Sequence, residues 1–273
     1  MTQIKSASST RNRSVRVASQ PFVYGAVTLL CVLAAWFLAT DVLHLVGSSF
    51  LPSPVTVIAT LFGLTVQPFA GATLMGHLGL SLARWALGVG AGILLGVLLG
   101  IVLAWLPPVR AAVTPIFEVL RYIPPFAWVP IAVLWLGASM SAQALVVFIA
   151  AFPPCVINTQ LGVSTVDPIL TNAARTLGAP PMTILRRVVV PVAAPSIFTG
   201  ARIAVSNGWM ALVGAELIVG KEGLGFLIAQ GQFNGDVAMI FVGIIVIGIV
   251  GTLIDFLIAR AEVWTLPWKT DSK

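Results

Sequence analysis

Six apolar stretches dominate this chain, each close to the ~20 residues that an α-helix needs to cross a bilayer. They cover 22–46, 80–105, 113–136, 142–163, 197–219 and 238–258. Hydrocarbon leaves no water for an open backbone, so stretches of this kind specify helices that bond within themselves. Charge usage agrees. Only 9% of residues are Asp, Glu, Lys or Arg, against about 25% in soluble domains. That is too little to cover a globular surface, so the solvent this chain is built for is lipid. The expected fold class is an all-α integral membrane protein with six transmembrane helices. The apolar material runs on without a polar block long enough to form a second domain, so residues 21–273 read as one transmembrane domain.

Residues 1–20 are polar and rich in Ser and Arg, and read as a disordered tail. The run after them has no small-x-small cleavage pattern, so it reads as a retained helix and not as a signal peptide. Lys and Arg set the orientation. Lys5, Arg11, Arg13 and Arg16 precede the first stretch; Arg260, Lys269 and Lys273 follow the last. Arg175, Arg186 and Arg187 lie between stretches four and five. An even count then places both termini in the cytoplasm, with Trp264 and Trp268 as an interfacial anchor. The net charge of +6 is spread over the ends of apolar runs, which argues against nucleic-acid binding. Cys31 and Cys155 sit inside apolar runs as small core residues. His44 and His77 lack partners at metal-ligand spacing. The short apolar segment 53–66, bounded by Pro52, Pro54 and Pro68, reads as an outer-face helix lying along the membrane.

Within the stretches, small and polar residues are informative. Gly88, Gly92, Gly96 and Gly100 recur every fourth residue and form one smooth helix face, for tight packing or for sliding. Gly200, Ala204 and Gly208 repeat the pattern. Pro124, Pro125 and Pro130 remove three backbone donors and should break the third stretch; Pro153 and Pro154 should break the fourth in the same way. Broken helices at mid-membrane are where transporters place substrate paths. Pro124, Pro125, Trp128, Trp135 and Asn158 are therefore candidate pathway residues. Helix packing or lipid contact would equally explain the tryptophans, and an interhelical hydrogen bond would explain Asn158. Glu216, a carboxylate in an apolar run, is costly unless paired or wet. It reads as a helix-end anchor to the following loop, or as a gate or binding-protein contact. Arg84 reads as a snorkelling cation or an attractor for an entering anion. Asp255 and Arg260 could pair locally, as could Glu118 and Arg121 at i and i+3.

The most specific segment is the cytoplasmic loop 167–191. Asp167 and Pro168 form a helix start. Gly178 permits a sharp turn, and Pro180 and Pro181 stop the first helix. A helix–turn–helix carrying Ala173, Ala174, Arg175, Arg186 and Arg187 looks like a docking knob: small residues allow close approach and arginines pair with carboxylates.

This loop resembles the E-A-A loop of binding-protein-dependent ABC importers. Asn172-Ala173-Ala174 is followed at the family's spacing by Gly178, and then by Val188, Val190 and Pro191. Asn172 stands where Glu is usual. The stretch R-Y-I-P-P-F-A-W-V-P from Arg121 to Pro130, and Ala215-Glu216 followed by G-L-G-F at Gly223 to Phe226, resemble the nitrate, sulfonate and taurine permeases of that family. Phe226 replaces a usual Tyr. The resemblance implies a type I importer permease in the bacterial inner membrane, translocating a small anion. It implies a second copy of this chain, two ATP-binding subunits and a periplasmic or lipid-tethered solute-binding protein as partners. ATP and magnesium would then sit on the partner ATPase, with no cofactor on this chain. Asn172, Ala173, Ala174, Arg175, Gly178, Arg186 and Arg187 would couple to that ATPase. No Walker A pattern, HExxH, GxSxG or carboxylate dyad is present, so the chain reads as no enzyme itself. A secondary transporter or channel is the alternative. It would call for internal repeats and several intramembrane ionisable groups, and neither stands out.

Overall fold

The structure, a computed structural model, describes residues 14–265, with side chains described from Val23. The first thirteen residues of the expected tail, together with Trp268, Lys269 and Lys273, lie outside it. From Ser14 the chain is helical, so residues 14–20 of that stretch belong to a helix.

Helix α1 (Ser14–Phe37) ends in a π turn, Leu38–Val42. Helix α2 (Pro54–Val66) starts at Ser53, whose hydroxyl accepts the Thr56 N–H. At 13 residues it spans roughly 20 Å, too short to cross hydrocarbon. Helix α3 (Leu74–Trp105) is followed directly by α4 (Pro107–Leu120). A 3₁₀ turn, Pro125–Trp128, leads into α5 (Val129–Leu136). Then come α6 (Met140–Ser164), α7 (Pro168–Thr176), α8 (Pro181–Ile184) with a π turn at Leu185–Val189, and α9 (Val190–Val219). Helices α10 (Leu224–Asn234) and α11 (Val237–Thr265) complete the described chain. Among the described residues, five helical segments are long and apolar enough to span a membrane. The pair α4 and α5, turned by 91° at its break, makes a sixth if it is taken as one broken span.

Helices α3, α6 and α9 form the centre, and the glycine stripe explains why. A Cβ on Gly88, Gly92, Gly96 or Gly100 would lie 2.6–2.8 Å from the Cβ of Val147, Ala151, Cys155 or Thr159 respectively. Both partner sets repeat every fourth residue, so α3 lies along α6 rung by rung with backbones nearly touching. Gly200 brings α9 equally close to the other side of α6 at Pro154 and Asn158. Around this centre pack Trp209, Leu212, Leu224 and Leu227, all buried. Helices α2, α10 and α11 close one flank; α1 stands outside, its side chains largely exposed.

Four expectations need correction. Helix α3 begins six residues before position 80. His77 in that first turn, like Ser81 and Arg84 after it, points inward and is buried. Helix α6 is not broken at Pro153 and Pro154. Tight packing on both sides holds it as one helix, and the carbonyls that lose donors belong to Ile149 and Ala150, which line a cavity. The fifth stretch starts well before position 197, because α8, the π turn and α9 form one apolar run over Pro181–Val219. The π turn, closed by Val190 N–H on the Leu185 carbonyl, shifts the register just ahead of Pro191. Asp255 pairs across helices with Arg202 (3.0 Å) instead of with Arg260, whose guanidinium lies over Phe256. Glu118 and Arg121 do pair, at 2.6 Å.

Candidate functional site

Three places concentrate polar or exposed function-bearing groups: a knob at one end of the bundle, a cavity at the α4–α5 break, and a buried clasp at the opposite end.

The knob follows from its local chemistry. Asp167 Oδ1 accepts the Ile169 N–H at 2.8 Å and starts α7. Gly178 takes φ +77°, a left-handed conformation that a side chain would strain, and turns the chain. Pro181 opens α8. Ala174 packs inward near Ile184, Leu185 and Val189. Asn172, Ala173, Arg175, Gly178, Arg186 and Arg187 are all exposed. So are four large apolar side chains, Ile169 (71%), Leu170 (44%), Leu177 (88%) and Met182 (56%). Reading the sequence for cations missed this apolar tip. Its signal was present as apolar residues around the Gly178 turn, where a solvated loop has no use for them.

The cavity has a volume of about 450 Å³. Pro125, Trp128 and Trp135 line it, whereas Pro124 and Asn158 do not. Pro124 forms the bend itself, with ψ 136° just before the 3₁₀ turn. Asn158 is turned away: its amide donates to the Pro154 carbonyl of its own helix at 2.8 Å. Phe117, Phe148 and Phe152 add aromatic wall, and Arg121 and Asn207 add polarity. Asn207, on α9, went unnoticed in the sequence; a lone amide inside a 30-residue apolar helix was the available signal. The Trp128 indole N–H is buried without a partner.

The clasp is built around Glu216, which is 1% exposed at the end of α9. Arg84 Nη1 donates to Glu216 Oε1 (2.9 Å) and to the Glu222 carbonyl (2.9 Å). Ser81 Oγ donates to the same carboxylate at 2.8 Å and accepts the Leu224 N–H at 3.0 Å. Gly225 N–H donates to Glu216 Oε2 at 3.0 Å. The carboxylate therefore caps the start of α10, where unpaired N–H groups favour negative charge. Gly223 N–H donates to His77 Nδ1 at 3.0 Å. Nδ1 is thus an acceptor, so the proton sits on Nε2, which donates to the Phe69 carbonyl at 3.0 Å. Gly223, at φ +114°, runs directly beneath the carboxylate, and a Cβ there would collide with it. The Ala-Glu and Gly-Leu-Gly elements are two halves of one joint. Both expectations for Arg84 are corrected, since it neither snorkels nor faces an entering anion. Glu216 is the anchor to the following loop, and its side chain has no surface left for a soluble partner.

A bundle of this form, with an exposed helical knob between its fourth and fifth crossings, defines a membrane component of a transporter. Residues 92–264 match the family described as binding-protein-dependent transport system inner membrane component. The taurine transport system permease protein TauC of Escherichia coli is 35% identical over 243 residues, covering 88% of each chain. The nitrate import permease protein NrtB of Synechocystis sp. is 36% identical over 275 residues, covering 96% of this chain and 98% of that one. The inward-facing MetNI methionine ABC transporter shares the fold, with a TM-score of 0.62 and 22% identity over 74% of this chain and 96% of that chain. This chain belongs to the binding-protein-dependent transport system inner membrane component family, as an ABC importer permease of the nitrate, sulfonate and taurine type.

Proposed function

We propose that this chain is the translocating subunit of an ATP-driven importer for a small anion of the sulfonate, taurine or nitrate class. It would work as a homodimer with two ATP-binding subunits that carry the ATP and magnesium. A periplasmic or lipid-tethered binding protein would deliver the substrate. The chain would lie in the bacterial inner membrane with both termini cytoplasmic, and would hydrolyse nothing itself. The observation that carries this reading is the knob. Ile169, Leu177 and Met182 stand exposed beside Arg175, Arg186 and Arg187 at one end of the bundle, a surface suited to an apolar groove rimmed by carboxylates.

The mechanism follows from continuity. The knob is joined to α9 through α8 and one π turn, without a loop. A displacement of the knob by a closing ATPase would therefore tilt α9 as a lever. Asn207 lies along that lever at the cavity, and Glu216 lies at its far end in the clasp. The glycine face between α3 and α6 offers little side-chain interdigitation to resist such a shift. Pro124 and Pro125 make the α4–α5 corner a natural hinge beside the path, with Trp128 and Trp135 on its wall.

Affinity purification from mild detergent tests the reading. An ATP-binding subunit in about equal amount is expected to co-elute. An Ala173→Glu/Gly178→Leu double variant should insert normally and lose it. A wild-type chain that elutes alone under several gentle conditions would overturn the importer assignment.

A further inference from the structure

The geometry points to a substrate with an apolar body and a single oxyanion group, instead of a bare inorganic anion, and to Asn207 and Arg121 as the side chains that hold its charged end. This rests on the pathway reading above and deepens it. The cavity at the α4–α5 break holds about 450 Å³, within the range typical of small-molecule sites. Its wall is dominated by aromatic and aliphatic side chains, Trp128, Trp135, Phe148 and Phe152 prominent among them. An ion of nitrate size would touch little of this wall and would give up its hydration for almost nothing. An organic anion could cover the rings with its body and still meet a polar end.

The polar side chains in the wall are suited to an oxyanion. Arg121 uses Nε and Nη2 on Glu118 and Tyr122, while Nη1 makes no hydrogen bond. Asn207 lies exposed on α9 and its amide makes no side-chain hydrogen bond. These are chiefly donors, and donors without protein partners beside an apolar chamber suit a carboxylate or sulfonate. Glu118 offsets the charge of Arg121, so the site should hold its ligand loosely enough to release it, as a translocation path requires. Discrimination between anions would then lie partly in this chain.

The test uses the purified chain with whatever subunits accompany it, in lipid nanodiscs, titrated by calorimetry with benzenesulfonate and, separately, with nitrate. Saturable benzenesulfonate binding is expected, at least ten-fold tighter than nitrate. Asn207→Leu should weaken it about ten-fold, and Trp135→Ala, on an exposed side chain, several-fold. Both variants should elute and retain their partner subunits like the parent. Nitrate binding as tight as benzenesulfonate, no saturable benzenesulfonate binding, or binding unchanged in both variants would overturn the proposal. Loss of the importer reading would register elsewhere, as failure of the parent chain to bring down an ATPase.

Discussion

The two ends of the long α8–α9 run are made by opposite physical means. At one end Glu216 is sealed: two side chains and a backbone N–H converge on its carboxylate, and water is excluded. At the other end Leu177 and Met182 stand out of the bundle with nothing over them. Burying a charge is costly unless its partners are in place before it moves, so the sealed end has one arrangement and gains rigidity from it. Exposing apolar side chains is tolerable only where a partner covers them, so the open end is unfinished by itself. The difference teaches where motion can enter. A lever needs a fixed joint and a free handle, and the chain places one at each end of the same helix.

Perturbing bundle stability separates the ends, beginning with the largest effect. Glu216→Ala leaves buried Arg84 only the Glu222 carbonyl and, at 3.7 Å, the Glu222 carboxylate, and should cost about 3 kcal/mol, read by reversible unfolding in mixed micelles. The double variant Arg84→Met/Glu216→Met removes both charges and should recover much of that loss. A single variant as stable as the parent would dissolve the notion of a sealed joint. Next comes Gly223→Ala. Its strained φ and the collision with the Glu216 carboxylate should together cost about 3 kcal/mol. Its counterpart at the open end, Gly178→Ala, meets nothing within 4 Å. Only its φ of +77° is penalised, at about 1–2 kcal/mol. Equal costs at the two glycines would mean that backbone conformation alone matters at Gly223, and that the carboxylate is free to move aside.

Much of this was legible in the residues. Spans follow from apolar length, and the knob follows from an Asp-Pro start, a glycine turn and a proline stop, all local chemistry. The glycine stripe announced a close helix contact, though not that α6 would be the partner. What escaped was long-range. Arg84 and Glu216 are separated by 132 positions, and no periodicity links them. Helix α10 falls in the segment after Glu216 that reads as a loop, and packing against α9 and α11 makes it a helix. Pro153 and Pro154 promised a break by their own chemistry and were overruled by packing on both sides of α6. Arg202 chose Asp255, 53 positions away, because two helices met there.

The smallest effect on stability, and the sharpest on partnership, is expected from Leu177→Asp. Leu177 is 88% exposed and packs against almost nothing, so the bundle should unfold within about 0.5 kcal/mol of the parent. Covering a leucine by a partner is worth about 1.5–3 kcal/mol, and an aspartate facing carboxylates would add repulsion. Association with the ATP-binding subunit should therefore weaken at least ten-fold, measured by titrating that subunit onto the immobilised, lipid-embedded chain. Arg186→Ala should weaken it less, since an exposed ion pair contributes about 0.2–1 kcal/mol. Should the order reverse, with the arginine mattering more than the leucine, the open end would be an electrostatic contact and its exposed apolar tip would need another occupant. Should Leu177→Asp destabilise the bundle as much as Gly223→Ala, the tip would be part of the fold, and the contrast between a sealed joint and a free handle would fail.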